Sequence, residues 1–195
     1  MGLHPRLIER PDQIGDCVVW RIDRTAPPPL PPALPEELCA FADANRPDRL
    51  FRRRVLRALC AAQLKRHPDA ICLQTTQAGA PRLADEDAWV SLAARDTCIV
   101  AAFSPRPIGV DVEALETQDT PELSALAPPC PGLGFATRWA ILEAAAKQDG
   151  RGLARDLSAF DIERLEGGRF SVSTGDARLQ VFVFLEARFV IAVAM

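Results

Sequence analysis

Two carboxylates interrupt an apolar segment near the middle of the chain. Residues 108–116 read IGVDVEALE, with Asp111 and Glu113 two positions apart. Alternate side chains of a strand project from one face, so a strand at this place presents both carboxylates together. Either this face is simply solvated, or the pair binds a hard cation such as Mg²⁺, which takes oxygen ligands and keeps water or phosphate in its other positions.

A second group of charged residues lies in the segment FATRWAILEAAAKQ. Its apolar residues recur at helical spacing, which predicts a helix over Phe135–Gln148. Glu143 and Lys147 are four positions apart on that helix. They form either an ordinary surface ion pair or a third carboxylate for a metal together with a lysine for a phosphate.

Arginines recur every four residues in the segment DRLFRRRVLRALCAAQL. The pattern predicts a helix from Asp48 to about Arg66, on which Arg49, Arg53 and Arg57 form a basic stripe opposite an apolar one. This stripe is either a solvated face or a set of guanidinium groups that bind phosphate, which their planar fork fits.

Composition limits the chemistry in which these residues can take part. The chain has 195 residues, 48% hydrophobic and 25% charged, and a formal net charge of −3, which is typical of a globular protein and does not favour nucleic-acid binding. Only two histidines are present, His4 and His67, which argues strongly against a Ser-His-Asp triad or a multi-histidine metal site.

Targeting signals and cysteines point to one compartment. No segment is long and apolar enough to span a membrane, and the N-terminus lacks the apolar stretch of a secretory signal. The six cysteines form no C-x-x-C pair and have mostly apolar neighbours, which predicts buried, reduced thiols. We therefore expect a cytoplasmic protein.

The remaining pattern predicts the elements that position these groups. A proline-rich spacer, APPPLPPALP, precedes a short helix at 36–45. The segment SPRP predicts a hairpin between two strands, and three C-terminal strands predict an antiparallel meander. The predicted strands are 17–23, 71–76, 98–103, 108–113, 169–173, 179–185 and 188–194. Their order predicts an α+β fold with two similar lobes, residues 1–100 and 101–195, each a small antiparallel sheet packed on a long helix.

In succession, these motifs resemble the 4′-phosphopantetheinyl transferases of the larger, surfactin-synthetase type. The resemblance covers roughly residues 17–195. The family's strand G-[IV]-D-[IV]-E corresponds to GVDVE at 109–113, and its helix W-x-x-K-E-x-x-x-K, followed by G-x-G-L, corresponds to WAILEAAAK at 139–147 and GRGL at 150–153. The family also has a basic helix that ends in L-x-R, which corresponds to VLR at 55–57. A G-K-P turn follows that helix in the family and corresponds to GAP at 79–81.

The resemblance implies a pseudo-dimeric two-lobed fold and a reaction. In that reaction a 4′-phosphopantetheine group passes from coenzyme A to a serine of an acyl or peptidyl carrier protein. It implies that Asp111, Glu113 and Glu143 bind Mg²⁺, that Lys147 contacts the pyrophosphate, and that Glu143 and Lys147 are the catalytic residues. The phosphates of coenzyme A would contact a set of arginines, namely Arg49, Arg53, Arg57 and Arg95. We expect a monomer, because two lobes in one chain complete one site.

The chain also departs from the family at several positions. Ala93 and Ala94 stand where the family has a serine and a histidine that hold the 3′-phosphate, and Ala80 replaces the lysine of G-K-P. Leu142 replaces a lysine that is a candidate catalytic base, so Leu142→Lys is expected to speed the reaction. Without it, Glu143 or a metal-bound hydroxide takes the proton. An alternative function is that of a non-catalytic accessory subunit that binds a carrier protein.

Overall fold

The computed structural model describes residues 6–7, 14–40, 46–77, 79–127, 129–148, 150, 156–175 and 177–195. The strands are β1 (Arg6–Leu7), β2 (Val18–Asp23), β3 (Leu73–Thr75), β4 (Pro81–Leu83), β5 (Trp89–Arg95), β6 (Cys98–Ser104), β7 (Gly109–Ala114), β8 (Asp161–Arg164), β9 (Arg169–Thr174), β10 (Ala177–Glu186) and β11 (Phe189–Ala194). The helices are α1 (Pro35–Ala40), α2 (Arg46–Leu64), α3 (Pro121–Leu126) and α4 (Phe135–Gln148), with 3₁₀ turns at Pro68–Ala70 and Leu157–Ala159.

These strands form two antiparallel sheets. The first has the order β1-β2-β6-β5-β4-β3 and the second has the order β7-β11-β10-β9-β8. Each sheet packs on one long helix, α2 for the first and α4 for the second. The predicted α+β fold with two lobes, each a small antiparallel sheet on a long helix, is confirmed.

Three apolar cores hold the layers together. One lies between α2 and the first sheet, and another lies between α4 and the second sheet. The third lies between the two sheets, where alternate residues of β2 and β6 meet alternate residues of β7 and β11. Each central strand is therefore buried on both faces. Such strands read as continuous apolar runs, as CIVAAFS does in β6.

The predicted hairpin between residues 98–103 and 108–113 is wrong. Both strands exist, but β6 pairs with β2 and β5 in the first sheet, while β7 pairs with β11 in the second. Pro105 and Pro107 in the connection lack the N–H groups that a hairpin ladder needs beside its turn. The chain thus passes from the first sheet to the second between Ser104 and Gly109, and the division at residue 100 stays a prediction.

Most other predicted elements are present within a few residues of their predicted ends, including α2, α4 and the antiparallel meander of β9, β10 and β11. The short helix predicted at 36–45 begins at Pro35, and residues 41–45 lie outside the described residues. Strand β5, which carries Arg95 next to the carboxylates of β7, was not predicted from the sequence.

The cysteines bear out part of the prediction for thiols. Cys17, Cys60 and Cys98 are buried and free, and burial raises the pKa of the Cys60 thiol to about 12. Cys72 is free but exposed. Among the described helices, none is long and apolar enough to cross a membrane.

Candidate functional site

The acidic residues of β7 face helix α4. Gly109, Asp111 and Glu113 alternate with Val110 and Val112, which fill the core between the sheets, so the three point to the opposite face. On that face, the Nζ atom of Lys147 lies 2.6 Å from Oδ1 of Asp111 and 3.2 Å from Oε2 of Glu143. The structure thus brings Lys147 into contact with carboxylates from both motifs.

Close packing of α4 on β7 makes this arrangement possible. A Cβ atom at Gly109 would lie 2.0 Å from the backbone oxygen of Ala144 and 2.5 Å from the backbone nitrogen of Gln148. Glycine is therefore required at this point of the strand, because a larger residue would push the helix away. The closeness of helix and strand sets how near Glu143 and Lys147 come to Asp111.

Burial dominates the electrostatics of Asp111. The residue is 4% exposed, and burial raises the pKa of its carboxyl to about 7. Lys147 opposes this rise, whereas the neighbouring charges of Glu143 and Glu113 add to it. The Oδ2 atom of Asp111 is buried and has no hydrogen-bond partner within the described part of the chain. A buried carboxylate oxygen without a partner is costly, so a ligand that satisfies it is expected.

Lys147 and Glu113 respond differently to the same cluster. Burial lowers the pKa of Lys147, but the charges of Asp111 and Glu143 outweigh it, so that the pKa of the lysine is raised. Burial raises the pKa of Glu113, and Arg95 counteracts part of that rise. Lys147 is therefore held in its charged form by the two carboxylates that it contacts.

Strand β5 contributes the second cation of the cluster. The Nε atom of Arg95 lies 3.5 Å from Oε2 of Glu113, and the hydroxyl of Thr117 donates to the same oxygen at 3.2 Å. The hydroxyl of Ser91 accepts a hydrogen bond from the backbone N–H of Val110 at 3.0 Å and so ties β5 to β7. Neither Ser91 nor Thr117 was predicted, because a single hydroxyl in a strand or loop carries no sequence signal.

The carboxylates suit a hard cation in their chemistry. Oxygen donors are what Mg²⁺ prefers, and Asp111 offers an unpartnered one. Among the described residues, however, no group of three acidic, histidine or cysteine side chains is arranged to hold a metal ion. The ammonium of Lys147 contacts Asp111 and Glu143 at once.

A cavity lies between α2 and the turn that follows β3. Its volume is about 330 Å³, and it combines the basic helix with the Gly79-Ala80-Pro81 turn. Arg52 was not predicted there; it also pairs with Asp48 at 2.7 Å. The lining residues are Arg49, Arg52, Arg53, Leu56, Thr75, Gly79, Pro81 and Leu92.

Not every arginine of the basic stripe faces this cavity. Arg57 is fully buried, donates to the backbone oxygen of Pro32, and lies 3.6 Å from the carboxylate of Glu37. Its prediction as a phosphate ligand is therefore corrected, because it anchors the proline-rich segment to α2 and has no surface for a ligand. Arg53 lines the cavity but also donates to the backbone oxygen of Leu73, which covers the edge of β3.

The positions that depart from the family have different surroundings. Leu142 is fully buried in the core under α4, so a lysine at this position would point into apolar surroundings. This burial argues against a base at position 142, and the effect of Leu142→Lys on the reaction stays a prediction. Ala93 is buried between the sheets, while Ala94 packs toward α2 on the same face of β5 as Leu92. Residues 151–153 of the GRGL motif lie outside the described residues.

The protein is therefore a two-lobed α+β protein whose charged site lies between β7 and α4 in the C-terminal lobe. Residues 107–194 match the family model of the 4′-phosphopantetheinyl transferase superfamily. The matched segment contains β7, α4 and β8 to β11, so this C-terminal part of the chain is similar to that superfamily. A comparison with curated proteins gave no match.

Proposed function

We propose that this protein transfers the 4′-phosphopantetheine group of coenzyme A to a serine of an acyl or peptidyl carrier protein, with Mg²⁺. The observation that carries the proposal is the contact of Lys147 with Asp111 and Glu143, because it joins the two motifs of the family in one place. Buried carboxylates beside a lysine are suited to a polyphosphate and its metal ion.

Coenzyme A would extend from the arginine-lined cavity to the acidic cluster. Arg49 and Arg52 on α2 offer guanidinium groups for the 3′-phosphate end. Leu92 of β5 lines the cavity, and Arg95, three residues further along the strand, contacts Glu113. At the rise of a strand these positions are about 10 Å apart, more than a diphosphate alone spans, and the odd separation puts their side chains on opposite faces of β5, so coenzyme A would have to pass the end of that strand.

The placement of charges supports the following reaction. The carrier serine hydroxyl attacks the β-phosphorus of coenzyme A, the new O–P bond forms, and the bond to the bridging oxygen breaks. The products are the modified serine and 3′,5′-ADP. Lys147 contacts the diphosphate, and Glu143, whose side chain is 15% exposed, accepts the hydroxyl proton. When bound, Mg²⁺ supplies positive charge that offsets the charge of the diphosphate.

The second candidate function is that of a carrier-binding accessory subunit. The observation that favours it is the loss of polar side chains at two family positions. Ala93 stands where the family has a ligand of the 3′-phosphate, Leu142 stands where it has a candidate catalytic base, and both residues are buried in apolar cores. Such a protein would keep the charged cluster without turning over coenzyme A. Cytoplasmic location and a monomeric state stay predictions under either function.

Mass spectrometry separates the two functions. The protein is incubated with coenzyme A, Mg²⁺ and a panel of apo-carrier proteins, and each carrier is examined for the mass of the added arm. An Asp111→Asn variant serves as the control for contaminating transferase. Loading by the parent and not by the variant supports the enzyme. Carrier binding without loading at any enzyme concentration supports the accessory subunit.

A further inference from the structure

We propose that Lys147 is a built-in counter-ion that competes with a divalent cation for Asp111 and Glu143, so that the metal and a diphosphate ligand bind cooperatively. The inference rests on the proposed function, because it describes how the same site is regulated. It predicts that the metal alone binds poorly, and that the diphosphate relieves the competition by giving the lysine a new partner.

Geometry places the ammonium where it must compete. Lys147 Nζ contacts Oδ1 of Asp111 at 2.6 Å and Oε2 of Glu143 at 3.2 Å, so it uses one oxygen of each carboxylate. A cation that drew on both carboxylates would meet the ammonium within a few ångströms, where like charges repel strongly in a partly buried site. With 28% of its side chain exposed, Lys147 has a route out toward solvent.

Charge balance explains why the diphosphate is needed. The cluster contains three carboxylates and two cations. When ionised, the carboxylates carry three negative charges, and the cations contribute two positive ones; the residues are Asp111, Glu113, Glu143, Lys147 and Arg95. The cluster is thus nearly neutralised before any ligand arrives. A divalent cation alone would give the cluster a net positive charge. When the cation binds together with a diphosphate, the negative charge of the diphosphate offsets that of the cation, and the ammonium of Lys147 can contact the diphosphate.

The choice of residue fits a movable cation. The chain has 23 basic residues, yet lysine occurs only at 65 and 147. A guanidinium is a rigid fork that suits fixed partners, as Arg57 has in Pro32 and Glu37. An ammonium on a flexible four-carbon stem can instead exchange one set of oxygens for another. Lys147 is therefore suited to pass from carboxylates to a phosphate.

Calorimetry tests the competition directly. Mg²⁺ is titrated into the parent and into Lys147→Met, each with and without saturating coenzyme A. In the parent we expect coenzyme A to tighten Mg²⁺ binding by about 5–150-fold, the usual range of coupling between two ligands. In Lys147→Met, Mg²⁺ alone should bind more tightly than in the parent, and the coupling should shrink. Lys65→Met, which removes an exposed charge, is the matched control and should behave like the parent.

A parent measurement keeps the test valid if Lys147→Met does not fold. Lysine labelled with ¹³C at its ε-carbon gives only two side-chain signals, because the chain has two lysines. Adding Mg²⁺ and coenzyme A together should move the Lys147 signal and leave that of Lys65 in place. An unmoved Lys147 signal would overturn the proposal, as would unchanged or weaker Mg²⁺ binding alone in a folded Lys147→Met.

The outcome is distinguishable from failure of the proposed function. The titration of Mg²⁺ alone requires neither coenzyme A nor a carrier. A protein that loads carriers but shows no tightening in Lys147→Met refutes the counter-ion and leaves the transferase intact. A protein that loads no carrier but shows the tightening refutes the transferase and supports the counter-ion.

Discussion

Gly109 lies directly beneath Ala144, and a Cβ atom at this glycine would be 2.0 Å from the backbone oxygen of Ala144. Gly109→Ala should therefore lift α4 from β7 and cost about 1–3 kcal/mol of the free energy of unfolding, as overpacking does. Because α4 carries Glu143 and Lys147, Mg²⁺-dependent binding of coenzyme A should weaken as well. Chemical denaturation and calorimetry measure the two effects.

Gly134→Ala is the matched control for this change. Among the described residues, no atom beyond its chain neighbours lies within 4 Å of the Cβ position at Gly134, so its substitution should change stability by less than about 1 kcal/mol. Equal effects at both glycines would show that close packing on β7 is not what Gly109 provides.

Asp111→Asn should change how stability depends on pH. The folded-state pKa of Asp111 is raised from 3.8 to about 7, so its protonated form stabilises the fold. That contribution is present in full below about pH 4 and is lost as the pH rises through about 7. Without divalent cations, the variant should thus gain stability relative to the parent as the pH rises from about 4 to about 7 in thermal unfolding.

The same substitution should remove the dependence of coenzyme A binding on Mg²⁺, which calorimetry with and without the ion would detect. Asp161→Asn is the control, because Asp161 is an exposed residue of β8. A parent that binds coenzyme A equally with and without Mg²⁺ would refute the role of the metal.

Two arginines of α2 should respond in opposite ways to substitution. Arg57 is fully buried against Glu37, so Arg57→Gln leaves an unpaired buried carboxylate and should cost roughly 3–5 kcal/mol of stability. Arg49→Gln should leave stability nearly unchanged but weaken coenzyme A about tenfold or more, and dephospho-coenzyme A less, because only the former has a 3′-phosphate. Equal losses for both ligands would exclude Arg49 from contact with that phosphate.

Leu142→Lys should destabilise the protein and not accelerate the reaction. The leucine is fully buried, and a lysine there would carry its charge into an apolar core or lose its proton. A lower melting temperature and no gain in carrier loading are the expected results. Leu142→Met keeps the apolar character and should cost less than about 1.5 kcal/mol. Faster loading by Leu142→Lys would show that position 142 reaches the site.

The sequence by itself determined the long helices, several strands and the residue types of the candidate site. Helical periodicity predicted α2 and α4, and alternation predicted the meander of β9 to β11, because each pattern reflects a face that must be buried. The spacing of Asp111 and Glu113 fixed their common direction, since side chains two apart on a strand share a face. Local rules are enough for such features.

Only the tertiary structure decided which strand pairs with which and which charges are buried. Residues 98–113 look like a hairpin locally, yet β6 and β7 belong to different sheets, because the pairing of β7 with the distant β11 cannot be read from neighbouring residues. Arg57 and Arg49 have the same helical spacing, but the proline-rich segment and Glu37 cover only Arg57. Contact between Lys147 and Asp111, which are 36 positions apart in the chain, likewise depends on the intervening segment folding back, with Gly109 allowing the helix close enough to the strand.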